Sequence, residues 1–176
     1  MIKMKIPTTI LATLLLSLAV KTFAGEEHMK PPPRSAEFNR LSQLVGQWEA
    51  TNSHHPQGEK SAVEYSLSSA GTALVEKLFV GTPHEMVSVY HDVGGKLMMT
   101  HYCAMGNAPK LELQKASQKE YDFSLANNSG LNDAKEPHMH SLNVKFKSQD
   151  KLVQKWTSWK EGKETESTII ELKRVQ

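Results

Sequence analysis

Hydrophobic and polar residues alternate along most of the chain after residue 46. In residues 63–67, 121–125 and 142–146, every second residue is hydrophobic. Because neighbouring side chains of a β-strand point to opposite faces, this spacing is typical of antiparallel strands that are buried on one face. The pattern predicts ten strands, at about residues 46–53, 60–69, 72–80, 85–93, 96–103, 110–116, 120–126, 138–148, 151–159 and 163–174.

One short helix is predicted ahead of the strands. Ser35 is a suitable N-cap residue, and Glu37 places an acidic side chain in the first turn. The hydrophobic residues that follow recur at helical spacing: Phe38, Leu41, Leu44 and Val45. We therefore expect a single helix at about residues 36–45.

The connections between the predicted strands are alternately short and long. The short ones lie at 70–71, 94–95, 117–119 and 149–150. The long ones each contain one proline and lie at 54–59, 81–84, 104–109 and 127–137. Every second connection of an up-and-down meander lies at the same end, so the short loops would share one end and the long loops the other. This order predicts a closed antiparallel barrel, with a two-sheet sandwich as the alternative.

The first 24 residues have the order of a secretory signal peptide: a basic start, an apolar run at 10–20 and a small residue, Ala24. The apolar run is shorter than the roughly 20 residues that a membrane-spanning helix needs. We expect a signal peptide at 1–24, a proline-rich linker at 25–35 and one barrel domain at 36–176. The mature protein would be periplasmic or extracellular, without a membrane anchor.

The composition argues against a nucleic-acid-binding protein and against a disulfide-bonded one. The chain of 176 residues has 21 Lys and Arg against 19 Asp and Glu, and three of the lysines lie in the predicted signal peptide. The mature chain therefore lacks the basic excess that binding to a nucleic acid backbone requires. A single cysteine, Cys103, excludes an internal disulfide. In an oxidising compartment, this thiol is expected to be shielded or ligated.

The start of the first strand resembles that of lipocalin-like (calycin) barrels. The resemblance is carried by the predicted helix followed by Gly46-Gln47-Trp48. In that family the tryptophan packs at the barrel floor beneath a basic residue from a late strand. The resemblance therefore implies that Trp48 lies at the floor, below the helix, with Arg174 beside it.

Residues 38–174 also resemble secreted bacterial lipocalin-like domains of unknown function. The segments at 81–86 and 100–103, Gly-Thr-Pro-His-Glu-Met and Thr-His-Tyr-Cys, carry this likeness. A more distant resemblance is to nitrobindin, a ten-stranded haem-binding barrel, although its axial histidine matches no residue here. The resemblance implies a fold and leaves the activity open.

Strand counting assigns five potential ligand residues to the long-loop end: His84, His101, Cys103, His138 and His140. His101 and Cys103 are two residues apart on one predicted strand. His138 and His140 are two apart on another, on the same predicted interior face as Leu142. Imidazole and thiolate groups can bind zinc, copper or haem iron, so a metal ion or haem is the candidate cofactor, although the sequence does not identify it.

Three functions are consistent with these residues. The favoured one is a binding module that holds a small apolar or cofactor-like molecule in the lumen or at the His-rich mouth. The alternative is a metalloprotein or enzyme, in which Cys103 would be a nucleophile with His140 or His101 as its base. A structural or interaction protein is third.

Glu76 and Glu85 are expected on an exposed face, where a salt bridge, with Lys77 for example, is the ordinary outcome for such carboxylates.

Overall fold

The strands form a closed ten-stranded antiparallel barrel, as the alternation predicted. The computed structural model describes residues 33–51, 61–131 and 135–175. The predicted signal peptide and most of the predicted linker lie outside these residues, as does Pro56. Within the described residues, no helix is long and apolar enough to cross a membrane.

Helix α1 spans Ala36–Ser42, and the Ser35 hydroxyl caps it by accepting from the Phe38 backbone N–H at 2.9 Å. The strands that follow are β1 Gly46–Ala50, β2 Ser61–Ser68, β3 Ala73–Leu78, β4 Met86–Val93, β5 Lys96–Tyr102, β6 Lys110–Ala116, β7 Glu120–Leu125, β8 His138–Ser148, β9 Lys151–Lys160 and β10 Lys163–Arg174.

Each strand pairs with the next along the chain, and β1 pairs with β10 to close the barrel. The sandwich alternative is therefore wrong. The end that carries α1, the start of β1 and the end of β10 is called the floor here, and the opposite end is called the mouth. The long connections at 79–85 and 103–109, and the described parts of the next one at 126–131 and 135–137, lie at the mouth. The mouth also carries one tight turn at 161–162, between β9 and β10.

The helix is shorter than the predicted 36–45 because the N–H groups of residues 43–45 donate to carbonyls three residues earlier, at 3.3, 2.9 and 3.3 Å, which tightens the chain out of the α-helical path. The Trp48 indole N–H donates to the Leu44 carbonyl at 2.7 Å. The Arg174 guanidinium donates to the Val45 carbonyl at 2.7 Å. These bonds hold the chain in a turn that leads directly into β1.

The apolar core fills the barrel from the floor. Phe38 and Leu41 of α1 are buried in the same cluster as Trp48, Val63 and Leu172 from the strands. The alternation seen in the sequence therefore has its expected cause, since the hydrophobic face of each strand lines the lumen.

Candidate functional site

Trp48 and Arg174 lie together at the floor. Trp48 is 1% exposed, and the guanidinium carbon of Arg174 is 4.4 Å from the centroid of its ring. Arg174 also donates to the carbonyls of Gln43 and Val45, at 2.8 and 2.7 Å. A cation over an indole contributes roughly 0.5–2 kcal/mol. The polar groups of these two side chains are thus paired within the protein.

Gly46 allows Arg174 to approach this closely. Its φ is +133°, and a Cβ placed on it would lie 2.9 Å from Arg174 Nη1. A larger residue would both strain the backbone and push the guanidinium away from Trp48. The positive φ and the close approach of Arg174 therefore explain why residue 46 is a glycine.

A carboxyl group is buried inside the lumen. Glu76 is 0% exposed, and the hydroxyls of Tyr65 and Tyr90 donate to its two oxygens at 2.5 and 2.8 Å. The Gln154 amide also donates to Glu76, from β9 on the other side of the lumen. Burial raises the pKa of Glu76, and these hydrogen bonds oppose that effect. Burial and the neighbouring Glu76 raise the pKa values of both tyrosines, which therefore remain donors.

The expectation that Glu76 lies on an exposed face is wrong. Leu74 and Leu78, two residues away on either side, share its face and are fully buried. Glu85 does lie in an exposed loop, where its carboxylate accepts from the Gly81 backbone N–H at 2.8 Å. Since Lys77 is only one residue from Glu76, it belongs to the opposite face of the strand.

Three interior side chains form a row across neighbouring strands. Glu76 of β3 is paired with Ser88 of β4, and Ser88 is paired with His101 of β5. The Ser88 Oγ lies 3.0 Å from Nδ1 of His101. The row ends at His101, the residue before the last of β5, and therefore leads toward the mouth.

His101 lies at the mouth end of this row and contacts the far wall of the barrel. Its ring centroid is 4.5 Å from that of Trp156 on β9, and the residue is 1% exposed. Its Nε2 atom is buried without a hydrogen-bond partner among the described residues. Burial lowers the pKa of His101 to about 4, so the imidazole is neutral at pH 7.

His138 and His140 contact each other, but not on the predicted face. The pairing of β8 with β9 shifts by one residue between Met139 and Ser141, so His138 is in register with Trp159. Trp159 is three residues from Trp156 and therefore belongs to the opposite, outer face of β9. This bulge reverses the predicted alternation, and it is Met139 that packs against the core.

The histidine pair on the outer face is hydrogen bonded and stacked. His138 Nδ1 donates to the Glu136 carbonyl at 2.7 Å, and its Nε2 is 3.1 Å from His140 Nδ1. The His140 ring stacks on Trp159 at 3.8 Å between centroids. Burial and the neighbouring His138 lower the pKa of His140.

Cys103 is shielded. It is buried, and its Sγ lies 3.9 Å from Met86 Sδ. Burial raises the pKa of the thiol, which disfavours the thiolate that a nucleophile or metal ligand requires. His101, two residues earlier, has its own partners in Ser88 and Trp156.

His84 lies exposed in the loop between β3 and β4. All five candidate residues are therefore at the mouth, but they divide into an interior histidine, an outer histidine pair, a buried thiol and an exposed histidine. In the described ranges, no three His, Cys, Asp or Glu residues are grouped so that they could hold one metal ion. The five side chains therefore do not converge on one metal ion.

The interior polar residues Glu76, Ser88 and Gln154 were missed by the sequence analysis. A signal for two of them was present, because Glu76 lies between Leu74 and Leu78, and Gln154 lies between Leu152 and Trp156, at alternate positions. A polar residue at a core position of a strand indicates a buried hydrogen-bond network.

Comparisons with known proteins support the fold. The crystal structure of Rv2717c from M. tuberculosis has a TM-score of 0.53 to this structure at 13% sequence identity, and the match covers 82% of this chain and 100% of that chain. At this identity the likeness concerns the fold alone. No protein-family model and no curated protein matches the sequence.

Proposed function

We propose that the protein is a small-molecule-binding barrel whose ligand lies at the mouth end of the lumen, beside His101 and Trp156. The proposal rests on the Nε2 atom of His101, which is buried and lacks a partner in the described part of the chain. Buried polar side-chain atoms are almost always hydrogen bonded, so such an atom marks a position where a polar group of a ligand would be bound.

Other features of the mouth support the same position. Ser61, at the mouth end of β2, is also buried, and its Oγ has no partner within the described ranges. Trp156 offers a flat apolar surface, since its N–H is occupied by the Gln154 carbonyl oxygen at 2.9 Å. Apolar walls with few polar groups are typical of small-molecule sites. The helix, the Gly46-Gln47-Trp48 segment and Arg174 support grouping this barrel with the lipocalin-like binding proteins.

The metalloprotein or enzyme alternative has weaker support. It needs donor atoms within reach of one ion or substrate, whereas His101 and the His138–His140 pair belong to opposite faces of the barrel wall. The raised pKa of Cys103 also disfavours its use as a nucleophile.

The test is ligand capture and displacement. Native mass spectrometry of the protein from its own cells should detect a retained organic mass. Titration with phenol as a probe should shift the NMR signals of the His101 and Trp156 side chains. His101→Leu should weaken phenol binding, while His91→Gln, on the outer face of β4, should leave it unchanged. Loss of binding in His91→Gln alone, or no shift at His101 and Trp156, would overturn the proposal.

We also propose that the protein is exported to the periplasm or outside the cell and works there without a membrane anchor. The support is the N-terminal sequence at 1–24, which lies outside the described residues. Mass spectrometry of the protein from fractionated cells should find a mature chain that starts at Gly25. A full-length chain retained in the cytoplasm would contradict export.

A further inference from the structure

We propose that a cleft between two loops at the mouth binds a small organic amine, through a primary ammonium group on a short apolar chain. The cleft has a volume of about 510 Å³ and lies between the loop at 103–109 and the next long connection, which contributes Gly130, Glu136 and Pro137. The described residues that line it do not include His101 or Trp156. This site is therefore separate from the one proposed in the lumen.

Two acceptor atoms of the cleft residues lack a donor. Glu136 Oε1 and Asn107 Oδ1 are buried, and neither has a hydrogen-bond partner among the described residues. No ion pair in the described part of the chain involves Glu136. Buried polar atoms are almost always hydrogen bonded, so two unpaired acceptors at one cleft mark a position for a group that has more than one donor.

The orientation of the Asn107 amide is set by a bond between the two loops. Its Nδ2 donates to the Pro137 carbonyl at 2.7 Å. Because a carbonyl only accepts, the amide atom that faces Pro137 is the nitrogen, and the unpaired atom is the oxygen. The loop is closed by the Cys103 N–H, which donates to the Asn107 carbonyl at 3.0 Å. The acceptor from this loop is thus fixed by bonds within the protein.

Glu136 is positioned from the other side of the cleft. Its backbone carbonyl accepts from Nδ1 of the buried His138 at 2.7 Å. This bond ties the end of the long connection to the start of β8, the strand that begins at His138. A carboxylate and an amide oxygen, from two different loops, are therefore held at the same cleft.

The chemistry of these two oxygens fits an ammonium group. Both are acceptors without a proton to donate, and the carboxylate carries one negative charge. A primary ammonium has three N–H donors and one positive charge, so it matches the acceptors and the charge together. A calcium ion takes about 6–8 oxygen ligands, which a single carboxylate and a single amide do not supply.

The rest of the lining fits an apolar chain on that ammonium group. Met105, Ala108 and Pro137 also line the cleft, and Met105 is 46% exposed. A bare ion would leave these apolar groups in contact with water, whereas a short alkyl chain would cover them. The volume and the apolar lining therefore favour an organic amine over a metal ion.

The experiment compares n-butylamine, n-butanol and calcium chloride as probes at pH 7. An alkylamine is protonated at this pH, and butanol has the same chain without the charge. We expect the wild-type protein to bind butylamine on the order of tenfold more tightly than butanol, since a charged hydrogen bond to buried acceptors is at stake. The NMR signals of the Asn107 amide and the Glu136 carboxylate should shift.

Glu136→Gln tests the role of the charge. It keeps the shape of the side chain, and it should bind butylamine and butanol within about twofold of each other. The matched control is Glu85→Gln, in another loop at the mouth, because the Glu85 carboxylate already accepts from the Gly81 backbone N–H at 2.8 Å. A thermal melt verifies that each variant is folded, and the comparison of probes on the wild type does not depend on any variant.

The outcomes separate this inference from the proposed function. Equal binding of butylamine and butanol by the wild type, or equal binding of butylamine by the wild type and Glu136→Gln, would overturn the amine site. Calcium binding that shifts the same two signals and excludes butylamine would overturn it as well. Phenol binding beside His101, measured on the same samples, tests the proposed function independently.

Discussion

Trp48 at the floor and His101 at the mouth are both 1% exposed, but their ring nitrogens are hydrogen bonded differently. At the floor, the indole N–H of Trp48 and the guanidinium of Arg174 donate to backbone carbonyls, and the two side chains also contact each other. At the mouth, Nε2 of His101 is buried and unbonded with respect to the described residues. Paired polar groups stabilise a fold, whereas an unpaired one costs free energy that a ligand can recover.

The two ends of the barrel contribute differently to stability and to binding. The floor fixes the barrel by joining α1, β1 and β10, the elements from the two ends of the domain. The mouth presents Nε2 of His101, which is unpaired among the described residues, and Nδ1 of the same ring lies 3.0 Å from the Ser88 hydroxyl. Substitutions at the floor should therefore change stability at every pH, whereas substitutions of His101 should change ligand binding and the pH dependence of stability.

The largest stability effect is expected at the floor. Trp48→Ala removes a fully buried indole, a hydrogen bond and the partner of Arg174, and should lower the free energy of unfolding by about 3–5 kcal/mol. Urea unfolding followed by circular dichroism would measure it. The matched control is Trp159→Ala on the outer face near the mouth, which should cost far less. Equal losses in the two variants would break the distinction between the ends.

The next effect is a pH dependence that comes from the mouth. His101 has a pKa of about 4 in the folded protein, below the ordinary value near 6.5, because it is buried. The unfolded chain therefore binds more protons between these values, so stability should fall as the pH is lowered from about 6.5 to about 4. The loss from this residue is about 3 kcal/mol at most.

His101→Gln is the comparison for that pH dependence. Glu76 and His140 also have shifted pKa values, but they are present in both proteins, so the difference between the two pH profiles isolates His101. Unfolding in urea at pH 7.5, 6, 5 and 4 would supply the profiles. Parallel curves for wild type and variant would show that His101 is not buried in its neutral form.

A smaller effect is expected for Gly46→Ala. The added Cβ would lie 2.9 Å from Arg174 Nη1, at a backbone φ of +133° that side chains disfavour. The expected loss is about 1–3 kcal/mol. Shortening Arg174 removes this clash, so Gly46→Ala should cost less in an Arg174→Ala background, where the backbone strain alone is left. A full, additive loss in the double variant would separate Gly46 from the contact with Arg174.

The smallest effect is expected on the outer face of the mouth. His140→Ala removes a ring stacked on Trp159 at 3.8 Å, with both residues partly exposed, and a bond to the buried His138. The cost should be about 0.5–1 kcal/mol, and phenol binding in the lumen should be unchanged. A large loss of phenol binding in this variant would move the site from the lumen to the outer histidine pair.

Local patterns were enough to predict the barrel. The alternation in segments such as 121–125 reports directly which face of a strand is buried, and the order of loop lengths follows from an up-and-down path. Both are properties of neighbouring residues. The prediction that Glu76 is exposed is wrong because donors from other strands satisfy its carboxyl group at a core position between Leu74 and Leu78.

The candidate site was less accessible from sequence. Strand parity predicted correctly that all five candidate residues lie at the mouth. It did not predict which of them contact each other. A one-residue bulge between Met139 and Ser141 places His138 on the outer face instead of the predicted interior face. The alternation of hydrophobic residues does not predict this bulge.

The sequence by itself determined the ten strands, the helix before them and the end of the barrel at which each histidine lies, because these depend on side-chain period and chain order. Only the tertiary structure decided which side chains meet. The contacts of Gln154 with Glu76, and of Trp156 with His101, cross the lumen between strands far apart in the chain. Such contacts depend on barrel closure and register, which no local stretch of sequence encodes.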